Sequence, residues 1–268
     1  MIAVCITTYN QQAYIAQAIE SVIAQICDEP IRVYIGNDAS SDKTNEICSL
    51  FSEQDNRIVY IRRKHNIGLI ANTIDLYRRI MTDGCEYIAM LDGDDYWIDN
   101  LKLQKQVEFM REHLEYGFVH TAAYDDVQGQ WIDNDFPDKP IGDISLQYNL
   151  NGAMHTNSTV LFRTNLLVES DLIELEKQHF RMLDYPLYGI FSQKTLFGYI
   201  HNYTAAWRKH DSVSQPRTVS DFFSYQFHYM RTWKWLNDRY NGNFHFYWSK
   251  AIQWYIWQVL YGMIHYFT

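Results

Sequence analysis

Through the first half of the chain, short apolar runs alternate with stretches whose apolar residues recur every three or four positions. Successive βαβ units of a parallel sheet carry this pattern. Ile2 to Ile6 predicts a first strand. Ile15, Ala18, Ile19, Val22, Ile23 and Ile26 predict a helix over Gln11 to Ile26, with Asn10 placed to cap it. The alternation continues with a strand at Ile31 to Ile35, a helix at Asp42 to Phe51, a strand at Ile58 to Ile61, a helix at Leu69 to Met81 and a strand at Tyr87 to Leu91. Leu101, Leu103, Val107, Met110 and Leu114 predict a further helix, and Tyr116 to Ala123 a further strand.

The regularity then stops. Gly129, Pro137, Pro140 and Gly142, interspersed with carboxylates, make Tyr124 to Asn151 a long irregular excursion. Beyond it the pattern predicts a strand at Ser158 to Phe162, a helix at Leu183 to Gln193 and two short strands around Phe197 and Ala205. Residues Val219 to Thr268 read as two aromatic-rich helices separated at Asn241-Gly242-Asn243. The expected fold class is α/β, with a mostly parallel Rossmann-like central sheet flanked by helices. One catalytic domain at 1–214 is expected, nucleotide-binding over 1–123 and acceptor-facing over 124–214, followed by a helical C-terminal appendage at 215–268.

A formal charge of -9 argues against nucleic acid as partner, because affinity there comes largely from Lys and Arg on phosphates. Cys5, Cys27, Cys48 and Cys85 are widely spaced with no C-x-x-C pair, so reduced, packed thiols and a cytoplasmic setting are expected. No signal-like segment precedes the first strand. Lys250, Gln253, Gln258 and His265 interrupt the longest apolar stretch, so a spanning helix is not expected.

The candidate chemistry sits at strand ends. The run Leu91-Asp92-Gly93-Asp94-Asp95 leaves a buried strand where open α/β sheets bind ligands, and its clustered hard oxygens suit Mg²⁺ or Mn²⁺. Asp38, at the end of the second strand, is suited to accept from a base imide N–H, or else to cap the next helix, a task Ser41 or Asp42 could equally fill. No G-x-G-x-x-G is present.

In order along the chain stand Thr8-Tyr9-Asn10, then Asn37-Asp38-Ala39-Ser40-Ser41-Asp42-Lys43-Thr44, then Asn66-Ile67-Gly68. Leu91 to Asp95 follows, and Trp207-Arg208-Lys209-His210-Asp211-Ser212-Val213-Ser214 comes last. In these motifs the chain from Ile2 to about Ser214 resembles a family 2 glycosyltransferase of the GT-A fold. The resemblance implies an inverting transferase with a UDP- or dTDP-sugar donor and a divalent cation. By it, Thr7, Tyr9, Asp38, Asn66, Asp92 and Arg208 would meet the nucleotide-sugar, Asp94, Asp95 and His210 would hold the metal, and Asp184 would be the catalytic base. One member of Arg62-Arg63-Lys64-His65 could balance phosphate charge, and His155, Asn157 or Ser158 could orient an acceptor hydroxyl.

The expected acceptor is a saccharide or lipid-linked saccharide, in surface polysaccharide synthesis. The aromatic tail, from Phe222 and Phe223 to Trp254 and Trp257, would pack on the catalytic domain, join a homodimer or touch the inner face of a membrane. Three departures stand against the family pattern: Asn37 for Asp, Leu183 for Glu, and Asp99 where Pro is common. They keep open a catalytically silent member that binds nucleotide-sugar or scaffolds a glycan-assembly complex. A sugar nucleotidyltransferase would need a Gly-rich basic loop after the first strand, and Thr7 to Ala13 has neither Gly nor Lys or Arg.

Overall fold

The computed structural model describes residues 1–133, 157–210, 219–240 and 256. Its strands are β1 (Ile2–Thr8), β2 (Ile31–Asn37), β3 (Ile58–Arg62), β4 (Tyr87–Asp92), β5 (Tyr96–Trp97), β6 (Tyr116–Val127), β7 (Gln130–Asp133), β8 (Leu161–Arg163) and β9 (Leu196–Lys209). Its helices are α1 (Ile15–Ile23), α2 (Thr44–Gln54), α3 (Leu69–Thr82), α4 (Lys102–Glu112), α5 (Glu169–Gln178), α6 (Asp184–Phe191) and α7 (Val219–Arg239). All strands join one sheet in the order β3-β2-β1-β4-β8-β6-β9-β5, with β7 paired to β6.

Strands β1 to β4 are parallel, so their carboxyl ends open on one edge. Alternating side chains of β1 face two cores. Ala3 and Cys5 point to the layer built by α3, α5, α6 and α7, while Ile2, Val4 and Ile6 point to the layer built by α1, α2 and α4. Antiparallel β8 follows β4, and β6 runs parallel to β9.

Several expectations change. Helix α1 begins at Ile15 rather than Gln11, and Asn10 is not its cap: it takes a left-handed φ of 53° and its Oδ1 accepts from Ser41 N at 2.8 Å. The helix-capping task near Asp38 falls to Asp42, whose Oδ1 accepts from Thr44 N at 2.9 Å. The expected strand at Ser158 opens instead as a 3₁₀ turn (Asn157–Thr159), because Ser158 is drawn into hydrogen bonds with the acidic loop. The two short strands are one long β9, irregular beside Thr121 to Ala123. The excursion after Tyr124 first completes β6 and then forms the β6–β7 hairpin, turned by Gln128 and Gly129 at φ 54° and 84°. Its remainder, with Pro137, Pro140 and Gly142, lies outside the described residues.

Helix α7 docks on α6. Leu236 is fully buried, and a Cβ on Gly189 would stand 2.5 Å from Leu236 Cδ1, so the two helices meet at the missing side chain. The first aromatic helix therefore packs on the catalytic core. The second, from Asn241 onward, falls outside the described residues apart from Ile256. Leu236→Ala should lower stability by about 2–5 kcal/mol, the range for a buried leucine that leaves a cavity. Urea unfolding followed by tryptophan fluorescence checks it. No helix among the described residues is long and apolar enough to cross a membrane.

Candidate active site

The parallel strands bring Thr7, Thr8, Asn37, Asp38 and Asp92 to one crevice, and the register pairs Thr7 with Asp92 and Thr8 with Asn37. Thr7 is buried and Tyr9 is exposed beside it. The turn after β4 lies hard against the end of β1. Gly93 N donates to Thr7 O at 3.2 Å, and a Cβ at Gly93 would come within 3.0 Å of that same carbonyl, so only glycine lets the acidic loop fold back there.

Asp38 is 3% exposed, and its two oxygens accept from Ile67 N at 2.8 Å and Gly68 N at 2.9 Å. It latches the Asn66-Ile67-Gly68 loop to the end of β2. Each oxygen keeps a lone pair that an imide N–H could use. Asn66 is exposed and its Oδ1 accepts from Gly68 N at 3.1 Å. In the basic run, Arg63 is committed to Asn72 Oδ1 at 2.9 Å and Asp75 Oδ2 at 2.7 Å, whereas Arg62, Lys64 and His65 are exposed.

The acidic loop separates its carboxylates by task. Asp94 faces His210, with 2.9 Å between Oδ2 and Nε2, and the His210 ring lies against Tyr14. Asp95 turns inward. It is 2% exposed, with Oδ2 accepting from Ser158 Oγ at 2.6 Å and Oδ1 from Arg208 N at 3.0 Å. These bonds brace the loop on β9 and the Ser158 turn.

Arg208 is likewise engaged by protein. Its guanidinium sits between the Tyr14 and Tyr96 rings, at 4.7 and 4.8 Å from their centroids. It donates to the Asp94 carbonyl and to Gln17 Oε1. These contacts fix the Asp94 backbone. Tyr14, Gln17 and Tyr96 surround Arg208 without a signal in the sequence: the first two read as helix positions, and Tyr96 belongs to no predicted element.

Asp92 takes a hydrogen bond from Asn157 Nδ2 at 3.2 Å. Burial, then the Asp94 and Asp184 charges, push its carboxyl above the usual range, while the Asn157 amide opposes them. Burial and the Asp94 and Asp92 charges also push Asp95 up, against the Ser158 and Arg208 donors. Asp184 opens α6, where its Oδ1 accepts from Tyr185 N at 2.8 Å. Leu183 holds the cap position, and Asp184 is the first residue of the helix. Burial raises its proton affinity, against the amide donors of its own helix start. Asp92 and the helix that Asp184 opens are linked through Asn157, whose Nδ2 donates to Asp92 Oδ1 and whose Oδ1 accepts from Tyr188 OH, although they come from distant parts of the chain. Perturbed carboxyls gathered at a sheet's ligand-binding edge mark a functional site.

A carboxyl that holds its proton more tightly when folded favours the folded state at low pH. Asp184 therefore contributes stability fully present below its unfolded pKa and lost as pH rises through its higher folded value. Asp184→Asn should flatten that part of the acid-side stability profile, read as unfolding midpoints between pH 4 and pH 8. An unchanged profile would show Asp184 titrating as an ordinary solvated carboxyl.

No group of three or more His, Cys, Asp or Glu side chains is disposed to hold a metal among the described residues. Asp94 and His210 form a two-member oxygen and nitrogen set. That fits a hard or borderline cation whose other positions come from substrate phosphates and water, the usual arrangement for Mg²⁺ at nucleotides.

The departures from the motif pattern cost no partner. Asn37, fully buried, donates to Tyr60 OH at 2.8 Å and accepts from Ser40 N at 2.9 Å. Leu183 joins the core, and Asp99 accepts from Leu101 N at 2.9 Å and pairs with Lys105 at 2.7 Å.

A parallel nucleotide-binding edge joined through antiparallel strands to a second half is the architecture of GT-A glycosyltransferases. TarS 1-349 from Staphylococcus aureus, solved with UDP-GlcNAc, superposes with a TM-score of 0.64 at 15% identity, covering 91% of this chain and 73% of that one. The mannosyltransferase PcManGT from Pyrobaculum calidifontis, solved with GDP-Man and Mn²⁺, gives 0.58 at 13% identity over 87% of this chain and 63% of that one. The family model described as Glycosyl transferase family 2 matches residues 3–167, and the chain belongs to that family. An uncharacterized glycosyltransferase of Haemophilus influenzae is 27% identical over 78% of this chain and 65% of its own length. An uncharacterized protein of Mycobacterium tuberculosis is 38% identical over 40% of this chain, and the chain spans only 31% of that relative's length.

Proposed function

We propose that the protein transfers a sugar, of hexosyl or N-acetylhexosaminyl type, from a UDP- or dTDP-sugar to a hydroxyl of a saccharide or lipid-linked saccharide, with inversion. The observation that supports this reading is the meeting of Asp38 and Asp92 at one strand edge, with Asp94 beside His210 and the Asp184 helix tied to Asp92 through Asn157 and Tyr188. The UDP-GlcNAc complex of TarS supports a uridine donor. Surface polysaccharide assembly is the setting we assign to it, with membrane contact at the periphery.

In this mechanism Asp38 and Asn66 frame the base, Thr7 and Tyr9 line the nucleotide through β1 and Asp92 meets the ribose. Asp94 and His210 would hold Mn²⁺ or Mg²⁺. When bound, that cation offsets the negative charge gathering on the departing diphosphate. Arg208 and Asp95 keep the Asp94 loop in place through the contacts above. Asp184 takes the acceptor hydroxyl's proton as that oxygen attacks the anomeric carbon, and a raised proton affinity suits that exchange near neutral pH.

Slow hydrolysis of the donor, with water as acceptor, tests the reading without knowing the natural acceptor. Release of UDP or dTDP from one of a panel of nucleotide-sugars with Mn²⁺, suppressed by chelator, is the expected result. Nucleotide binding with no release across donors and acceptors would favour the catalytically silent alternative.

A further inference from the structure

The turn Asn157–Thr159 is held on three sides. Trp97 Nε1 donates to the Ser158 carbonyl at 2.8 Å, Gln106 Nε2 donates to the Thr159 carbonyl at 2.9 Å, and the buried Lys102 Nζ donates to Gln106 Oε1 at 2.6 Å. Ser158 Oγ accepts from Asp92 N at 3.1 Å and donates to Asp95. A backbone so fixed leaves the Asn157 side chain little freedom. Its amide then reaches in two directions: Nδ2 donates to Asp92 Oδ1 at 3.2 Å, and Oδ1 accepts from Tyr188 OH. The amide NH₂ faces the Asp92 carboxyl, and the amide oxygen faces the phenol, which donates to it.

Tyr188 stands one helical turn after Asp184 on α6. Its ring is 3% exposed and packs edge-on against Phe118, with centroids 4.9 Å apart. The hydroxyl cannot swing away without disturbing that packing. A continuous path of one amide and one phenol thus joins the loop expected to meet the donor to the helix expected to carry the base. Both residues lie outside the acidic motif: the sequence offers Asn157 as a candidate for orienting an acceptor hydroxyl and Tyr188 as an apolar helix position.

We propose that Asn157 and Tyr188 are positioning residues that set the distance between Asp92 and the Asp184 helix, so that seating the donor orders the base. The inference rests on the glycosyl-transfer reading above. It differs from an acceptor-orienting role for Asn157, because one N–H and one lone pair of the amide already engage protein groups that fix its position. Misplacement of a catalytic group by about an ångström costs up to roughly 10²-fold in rate, which sets the scale of the effect.

Hydrogen exchange of the full chain, with and without UDP plus Mn²⁺, tests the link beside donor hydrolysis. In the wild type, UDP should slow exchange across α6. Tyr188→Phe removes one oxygen, and should keep UDP affinity and donor KM while losing the α6 protection and about ten- to a hundredfold in kcat. Asn157→Asp, which keeps size and the acceptor for Tyr188 but puts a carboxylate against Asp92, should lose the same α6 protection and kcat, and should also weaken UDP binding because Asp92 is placed at the ribose. If Asn157→Asp does not fold, Tyr188→Phe decides alone. Wild-type kcat and α6 protection in Tyr188→Phe, or a lowered melting temperature with both retained, would overturn the proposal. A wild-type protein that binds none of UDP, dTDP or GDP overturns the glycosyl-transfer reading itself, and is recognised before any variant is compared.

Discussion

Asp184→Asn is expected to lower donor turnover by roughly 10²–10⁴-fold, the usual contribution of a positioned general base. Nucleotide affinity should not change. The substitution keeps the shape of the side chain and an oxygen for Tyr185 N–H, so the start of α6 survives while the proton acceptor is lost. Single-turnover measurements with saturating donor separate these quantities, because a change confined to the chemical step leaves binding alone. A fall in nucleotide affinity matching the fall in turnover would mean that Asp184 holds the crevice together and does not act on the acceptor.

Asp94→Ala is expected to act earlier in the cycle. It removes the carboxylate facing His210 and leaves the Arg208 bond to the residue's carbonyl, which is main chain. The loop should therefore keep its course while the cation loses one of its two proposed protein partners. Donor hydrolysis should drop by roughly 10²–10³-fold, the scale for losing one stabiliser of a developing negative charge. Mn²⁺-dependent strengthening of UDP binding should vanish, which calorimetry with and without the metal reads directly. His210→Ala should weaken that strengthening less, since a carboxylate carries full charge and imidazole none. Equal Mn²⁺ dependence in wild type and Asp94→Ala would place the metal elsewhere or nowhere.

The two variants fail in different ways for a physical reason visible in the sheet. Strands β1, β2 and β4 are continuous apolar runs because both faces are covered by helices, and a buried strand must then end in polar residues at its open edge. That logic made the first half of the chain readable: apart from β5, strands and helices up to α4 emerge within a few residues of their predicted places. Thr7, Asp38 and Asp92 were legible as candidates because they stand where such strands stop.

What stayed hidden depends on partners far away in sequence. Strand β5 is only Tyr96–Trp97, and β7 is wholly exposed, so neither has a period to read. Helix α5 buries Leu172 and Leu175 among several carboxylates, and its amphipathic signal is slight. The Ser158 turn could not be told from a strand, because its cause is the acidic loop some sixty residues earlier. Arg208 reads as a phosphate ligand, and the Tyr14 and Tyr96 rings on either side of it come from residues distant in sequence. Asp95 reads as a second metal carboxylate, and its hydrogen bonds to Ser158 and the Arg208 amide come from residues distant in sequence. Spacing alone thus finds the strand end, while the division of labour among neighbouring carboxylates comes from the fold.

A crystal structure of the protein with Mn²⁺ and an unreactive UDP-sugar analogue tests the central claim most directly. The account predicts diphosphate oxygens and cation at Asp94 and His210, uracil beside Asp38, and the anomeric carbon between Asp92 and the Asp184 carboxylate. A diphosphate bound away from Asp94, or an Asp184 carboxylate turned from the sugar with protein packed between them, would contradict it.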